Sequence, residues 1–234
     1  LCCIFVSTFI LAHMIGFFSN YKWIGLSIIL WGIVSICLFY TILKPIERLP
    51  VFQPASVNSE LVDTTIVHKI NYHKISDFSL TNQNGEVVTQ KKYEDKIYVA
   101  DFFFTTCQSI CPVMTKNMKD IQDKLITDSE VLLLSHTVFP EIDSVEVLKK
   151  YAIDNSVIDS KWDLVTGDKK EIYDLARKSY LAAKDNSFSK YDMIHTENFV
   201  LIDKKKQIRG FYDGTDKEEI NRLLVDIEIL KKSN

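Results

Sequence analysis

The pattern of apolar positions divides the chain into an uninterrupted stretch and an alternating remainder. From Trp23 to Leu43 (WIGLSIILWGIVSICLFYTIL) no charged residue breaks the run, and its length is what a helix needs to cross the hydrocarbon core of a bilayer. Tyr21 and Trp23 at one end and Tyr40 near the other resemble the aromatic belts of a membrane span, and Lys44 and Arg48 close the segment. A cleaved signal peptide fits less well, because the run exceeds a typical apolar signal core and ends without a small-residue cleavage site. The pattern therefore predicts an N-terminal segment over 1–22, a transmembrane helix over 23–43, a tether over 44–74 and a folded domain over 75–234. Leu1 to Phe18 is a second apolar stretch, which as a genuine second span could pair with the first as a helical hairpin and would put the N-terminus outside as well. Translation is expected to begin at Met14, with Lys22 as the one charge before a single span, the N-terminus inside and the domain outside. Pro45, Pro50 and Pro54, followed by polar residues, fit a tether.

Within the domain the period switches between two and about 3.6. Asn84-Gly85 lies between Phe78–Leu80 and Val87–Thr89, a tight-turn dipeptide flanked by strand residues, so a β-hairpin opens the domain. Ile97 to Phe104 (IYVADFFF) is apolar except for Asp101, the mark of a central strand buried on both faces. Pro112 starts a helical segment with Val113, Met114, Ile121 and Leu125 in phase, proline suiting a first helical turn. Val131–Val138 then reads as a second buried strand, Ser144–Ala152 as a helix, Trp162–Val165 as a short strand and Lys169–Tyr180 as a helix. Asn198–Ile202 and Gln207–Tyr212 form a hairpin across Lys204-Lys205-Lys206, and Lys217–Leu230 an amphipathic helix. Parallel strands joined by helices, then a terminal hairpin and helix, predict an α/β, thioredoxin-like fold with an N-terminal β-hairpin, preceded by a transmembrane helix.

Charge narrows the partners. Lys and Arg total 28 against 31 Asp and Glu, a net charge of −3, so no global field attracts nucleic acid, and none is expected as a partner. Lys204–Lys206 reads as a solvated turn. Of the five cysteines, Cys2, Cys3 and Cys37 sit in apolar segments as small hydrophobes. Cys107 and Cys111 are spaced C-x-x-x-C between a strand and a helix, where thiols become reactive. Unpaired N–H groups at the helix start are expected to favour the Cys111 thiolate. Two soft thiolates suit Cu(I), and a neutral imidazole would complete a three-coordinate site able also to hold Cu(II). The same pair could close as a redox disulfide or stand as an inert structural one.

The histidines leave the third ligand open between His195, in the loop before the terminal hairpin, and His136, at the end of the second strand. Met114 and Met118 read as a core stripe, and Asp101 either as a group that tunes a thiol or as a structural hydrogen-bonding residue.

DFFFTTCQSICPVMTKNM (101–118), SHTVFPEIDSVEVLKKYA (135–152) and IHTENFVLIDKKKQIRGFYDG (194–214) together resemble the Sco/SenC family of membrane-anchored copper chaperones for cytochrome c oxidase. The resemblance covers about Ile75 to the C-terminus. It implies Cys107, Cys111 and His195 as copper ligands, Cys107 and Cys111 as a thiol–disulfide pair, and cytochrome c oxidase subunit II or another copper chaperone as partner. It also implies a domain outside the cytoplasm, on the periplasmic side of a bacterial inner membrane. Delivery of copper to the binuclear copper A site is the implied function; a thiol-disulfide oxidoreductase acting on that site's cysteines, or a copper or redox sensor, are the alternatives. This chain departs from the family pattern at Ile194, where an acidic residue often precedes the histidine, and at Phe139-Pro140, where an Asp-Pro pair is usual.

Overall fold

The structure, a computed structural model, describes residues 21–43, 48–57, 73–182 and 196–233. It separates into two units, Leu1–Ile46 and Glu47–Asn234. The predicted apolar stretch before Tyr21, the Met14 start, most of the 44–74 tether and His195 lie outside the described residues.

Helix α1 (Lys22–Leu43) spans 22 residues, about 33 Å at 1.5 Å per residue. Its stretch Trp23–Tyr40 is long and apolar enough to cross a membrane. Its large side chains stand exposed around the cylinder, Trp31 at 77% and Ile36 at 71%, whereas a soluble surface helix would carry a polar face.

The second unit is built on a seven-stranded sheet in the order β2-β1-β5-β4-β3-β6-β7. The hairpin β1 (Ser79–Asn82) and β2 (Val87–Thr89) closes through Gly85, whose φ of 76° is open to glycine without strain. Strands β3 (Ile97–Phe103), β4 (Val131–Thr137) and β5 (Trp162–Thr166) run parallel at the centre. They are joined by α2 (Cys111–Lys124) and α3 (Val145–Asp154). Strand β6 (Asn198–Ile202) returns antiparallel to β3, β7 (Ile208–Asp213) pairs with it at the edge, and α5 (Lys217–Ser233) ends the domain. This is the thioredoxin-like arrangement that the pattern predicts, with the extra hairpin added beside β5.

Two apolar layers cover the sheet, and strand parity decides which residue enters which. Ile97, Val99 and Phe103 of β3 join Met114, Met118 and Ile121 of α2, Leu148 of α3, and Leu223, Ile227 and Leu230 of α5. Tyr98, Ala100 and Phe102 face the other layer, with Phe78, Leu80, Tyr93, Ile172 and Tyr180. Met114 and Met118 are 0% exposed, so the α2 methionines form the apolar stripe expected of them.

Two stretches differ from the sequence expectation. The helix predicted over 169–180 is α-helical only in α4 (Lys169–Asp174), started by Asp168, whose carboxylate accepts the Glu171 N–H at 2.9 Å. It then widens into a π turn over Leu175–Ser179 and ends at Leu181 with φ 52°. One extra residue per turn costs hydrogen-bond regularity, while Tyr180, Leu181 and Ala182 are fully buried there. Residues 48–57 lie on the domain. Phe52 donates its N–H to the Ile208 carbonyl at 2.9 Å and meets Phe211 edge to face, and the Arg209 guanidinium donates to the Leu49 and Pro50 carbonyls while pairing with Asp203. This strap covers part of an edge strand that would otherwise expose ladder groups.

Candidate functional site

Strand β3 delivers the chain to the C-terminal edge of the parallel strands, where ligands bind in open α/β sheets. Seven residues lie between Phe103 and the first residue of α2. Cys107 sits in this loop, half-buried, and Cys111 is the first helical residue, 4% exposed, with Pro112 directly behind it. Both thiols are free. The Ser109 hydroxyl lies 3.5 Å from the Cys107 sulfur.

The two thiols are electrostatically unlike. Burial pushes Cys107 up, but hydrogen bonds from Ser109, from the Cys111 thiol and from the backbone outweigh it and bring it down to about 7. Burial pushes Cys111 up to about 12; a backbone hydrogen bond at Phe104 opposes this, while the neighbouring Cys107 and the Asp101 charge add to it. The expectation that the helix start makes Cys111 the thiolate is thus reversed. The helix N-terminus acts on a side chain removed from water, and desolvation exceeds the dipole's contribution. Alkylation of the metal-free, reduced chain should therefore label Cys107 first, with a rate that rises through a midpoint near pH 7. Ser109→Ala should move that midpoint upward. Mass analysis of the peptide carrying both cysteines checks this, and prior labelling of Cys111 would contradict it.

Asp101 lies in β3 in phase with Val99 and Phe103, on the α2 side of the sheet. It is 2% exposed, and its Oδ1 has no hydrogen-bond partner among the described residues. Burial raises its carboxyl to about 7, against a hydrogen bond from Ser135. Ser135 is itself held by the Trp162 indole N–H at 2.8 Å. On the same layer the Tyr151 hydroxyl lies 2.7 Å from Thr115 Oγ1, and its ring meets Phe103.

His136 does not join the cysteines. It pairs in register with Phe102 and faces the layer opposite α2, stacked on that ring at 4.8 Å and flanked by Phe78 and Tyr180. Burial lowers its imidazole to about 4, despite a hydrogen bond to the Asp101 carbonyl. Strand parity is the reason: residues 132, 134 and 136 share one face, and α2 lies on the other. His73 is also engaged elsewhere, its Nε2 lying 2.7 Å from the Ser179 carbonyl. No cluster of three or more His, Cys, Asp or Glu able to hold a metal occurs among the described residues. The dithiol is the part of the predicted ligand set that is described, and His195 lies outside it.

Sequence reasoning missed Asp143, 38 residues from Thr105 in the chain, which accepts hydrogen bonds from that residue in the cysteine loop. Its sole local signal is its place just before Ser144, the residue that caps α3. It missed Ser109 and Tyr151 as well, because a serine in a loop and a tyrosine on a helix carry no distinguishing pattern.

Fold and site define a thioredoxin-like protein with a reduced C-x-x-x-C pair of unequal acidity at a strand-to-helix junction. The chain belongs to the SCO1/SenC family, whose model matches residues 68–228. It is similar to the SCO1 protein homolog of Bacillus subtilis (strain 168), 31% identical over 161 residues that cover 68% of this chain and 83% of that protein. The structure of BsSco, described as a member of the Sco family of cytochrome c oxidase assembly proteins with a disulfide switch, matches at 29% identity and a TM-score of 0.60. That match covers 69% of this chain and 95% of BsSco. Bradyrhizobium japonicum ScoI, solved with copper bound, shares the fold at 24% identity and a TM-score of 0.53, over 67% of this chain and 99% of that one.

Proposed function

We propose that this chain is a membrane-anchored copper metallochaperone for cytochrome c oxidase, taking copper on Cys107, Cys111 and His195 and passing it to the copper A site of subunit II. The observation that carries this reading is the reduced thiol pair at the strand-to-helix junction, one member half-buried and one buried. Two soft sulfur donors fit Cu(I), and an imidazole fits either oxidation state of copper. A three-donor site leaves copper open to attack by an acceptor's ligands, so transfer proceeds by ligand exchange without passing through free ion. The role in cytochrome c oxidase assembly described for the Sco family supports the acceptor, and helix α1 supports attachment to a membrane. The domain would then act outside the cytoplasm, on the periplasmic side of a bacterial inner membrane.

The unequal thiols favour a second reading. An accessible thiol near pH 7 beside a buried one near 12 is the arrangement of an attacking and a resolving cysteine. On that reading the chain reduces the acceptor's cysteine disulfide and becomes oxidised itself. The disulfide switch described for BsSco supports this alternative.

Copper content and coordination of the reduced chain, beside His195→Ala, test the proposal. Wild type should hold one copper per chain, and the variant should lose Cu(II) while retaining Cu(I) on its two sulfurs. Absence of copper from wild type that still reduces a disulfide target would replace the first reading with the second. Unchanged Cu(II) coordination in the variant would remove His195 from the ligand set.

A further inference from the structure

The cysteine loop is tied to the rest of the domain by a buried carboxylate. Thr105, two residues before Cys107, donates its hydroxyl to Asp143 Oδ1 at 2.5 Å and its backbone N–H to Asp143 Oδ2 at 3.2 Å. The hydroxyl of Thr137, the last residue of β4, donates to the same Oδ2. Asp143 is 0% exposed, and these donors are hydroxyls and an amide rather than a cation. A carboxylate withdrawn from water is tolerated where such donors satisfy it, and charged hydrogen bonds are the strong ones.

Elsewhere in the loop, Phe104, Cys107 and Ile110 pack partly against the core. Thr106, Gln108 and Ser109 are exposed, and the bonds within the loop are local, Cys107 N–H to the Phe104 carbonyl at 3.3 Å and Ser109 to the Cys107 sulfur. Cys111 is buried at the start of a 14-residue helix. Closing a disulfide brings two sulfurs to about 2.05 Å. The helix fixes one of them, so the loop carrying Cys107 supplies the movement, and Thr105 is the nearby loop residue hydrogen-bonded to a side chain beyond the loop.

We propose that Asp143 is a positioning residue: through Thr105 it holds the Cys107 loop in the open dithiol arrangement and opposes closure of the Cys107–Cys111 disulfide. The inference deepens the reading of the dithiol as the reactive site and rests on it. The equilibrium it biases is Cys107–SH plus Cys111–SH plus glutathione disulfide giving the Cys107–Cys111 disulfide plus two glutathione. Both protons leave on the glutathione thiols, the cysteine pair is oxidised and glutathione disulfide is reduced.

The full chain in detergent, equilibrated in glutathione buffers, quenched with acid and alkylated, reports the oxidised fraction by mass on the peptide carrying both cysteines. Thr105→Val should shift the equilibrium constant about tenfold toward the disulfide, near 30 mV, and Thr105→Ser, which keeps the hydroxyl, should stay within threefold of wild type. Thr137→Val loses a bond to the same carboxylate from β4. It should lower thermal stability as Thr105→Val does, yet leave the redox equilibrium within threefold. A Thr105→Val constant within threefold of wild type, or an equal shift in Thr137→Val, would overturn the proposal and leave Asp143 a structural anchor. Copper uptake by wild type is read separately: its absence removes the copper reading, whereas the redox comparison still decides the role of Asp143.

Discussion

Cys107→Ser and Cys111→Ser each lower Cu(I) affinity by about a thousandfold or more, roughly 4 kcal/mol, in competition with a Cu(I) chelator. A serine oxygen is a hard donor with almost no affinity for Cu(I), so each substitution leaves one sulfur and the His195 imidazole, a pair that binds Cu(I) far more weakly than two thiolates. The two variants should agree in copper loss and differ elsewhere. Cys107 lies half-exposed in a loop, so its replacement leaves the fold at wild-type stability. Cys111 is buried beside Phe103 and Met114, and a hydroxyl placed there lowers stability by about 1–3 kcal/mol unless it finds a partner. Retention of affinity within tenfold in Cys107→Ser would take the accessible thiol out of the site.

The second large effect belongs to Asp101. Its carboxyl is held near 7 in the fold, against an ordinary 3.8, because burial disfavours the charge. The folded state therefore binds this proton more tightly than the unfolded chain. The contribution is fully present below about pH 4 and is lost as pH rises to about 7, for a total of roughly 2–4 kcal/mol. Asp101→Asn removes the titration while keeping the shape. Denaturant unfolding at a series of pH values should show wild type losing this increment between pH 4 and 7 and the variant losing far less, so that the variant is the more stable of the two at pH 8. A variant with the wild-type slope would mean that Asp101 is not the group responsible.

The chemistry-bearing elements were readable from the chain because their signals are local. A continuous apolar run with one aspartate marks β3, the cysteines follow it at once, and a proline marks the start of α2; the helix begins one residue earlier, at Cys111. Long-range relations were not readable. Asp143 reaches Thr105 through strand pairing of β3 with β4, and the strap over 48–57 meets β7 across more than 150 residues of chain. Apolar and proline content describes such a strap and a free tether alike. The acidity of the thiols is not legible in the chain, because a helix start is visible in sequence and the depth of burial that raises Cys111 is not. His136 was open to a better reading: once β3 and β4 are parallel neighbours, alternation puts it on the face away from α2.

Transfer of copper between proteins tests the central claim most directly. The copper-loaded chain, reduced and in detergent, is mixed with the metal-free soluble domain of cytochrome c oxidase subunit II, once with its copper A cysteines reduced and once with them oxidised. The copper content of each protein after separation and the thiol state of both are followed together. Copper should move to the reduced acceptor and leave the Cys107–Cys111 pair metal-free. No copper reaching the reduced acceptor, together with an oxidised acceptor that gains thiols as the Cys107–Cys111 pair closes to a disulfide and sheds its copper, would contradict this and make the chain a reductase.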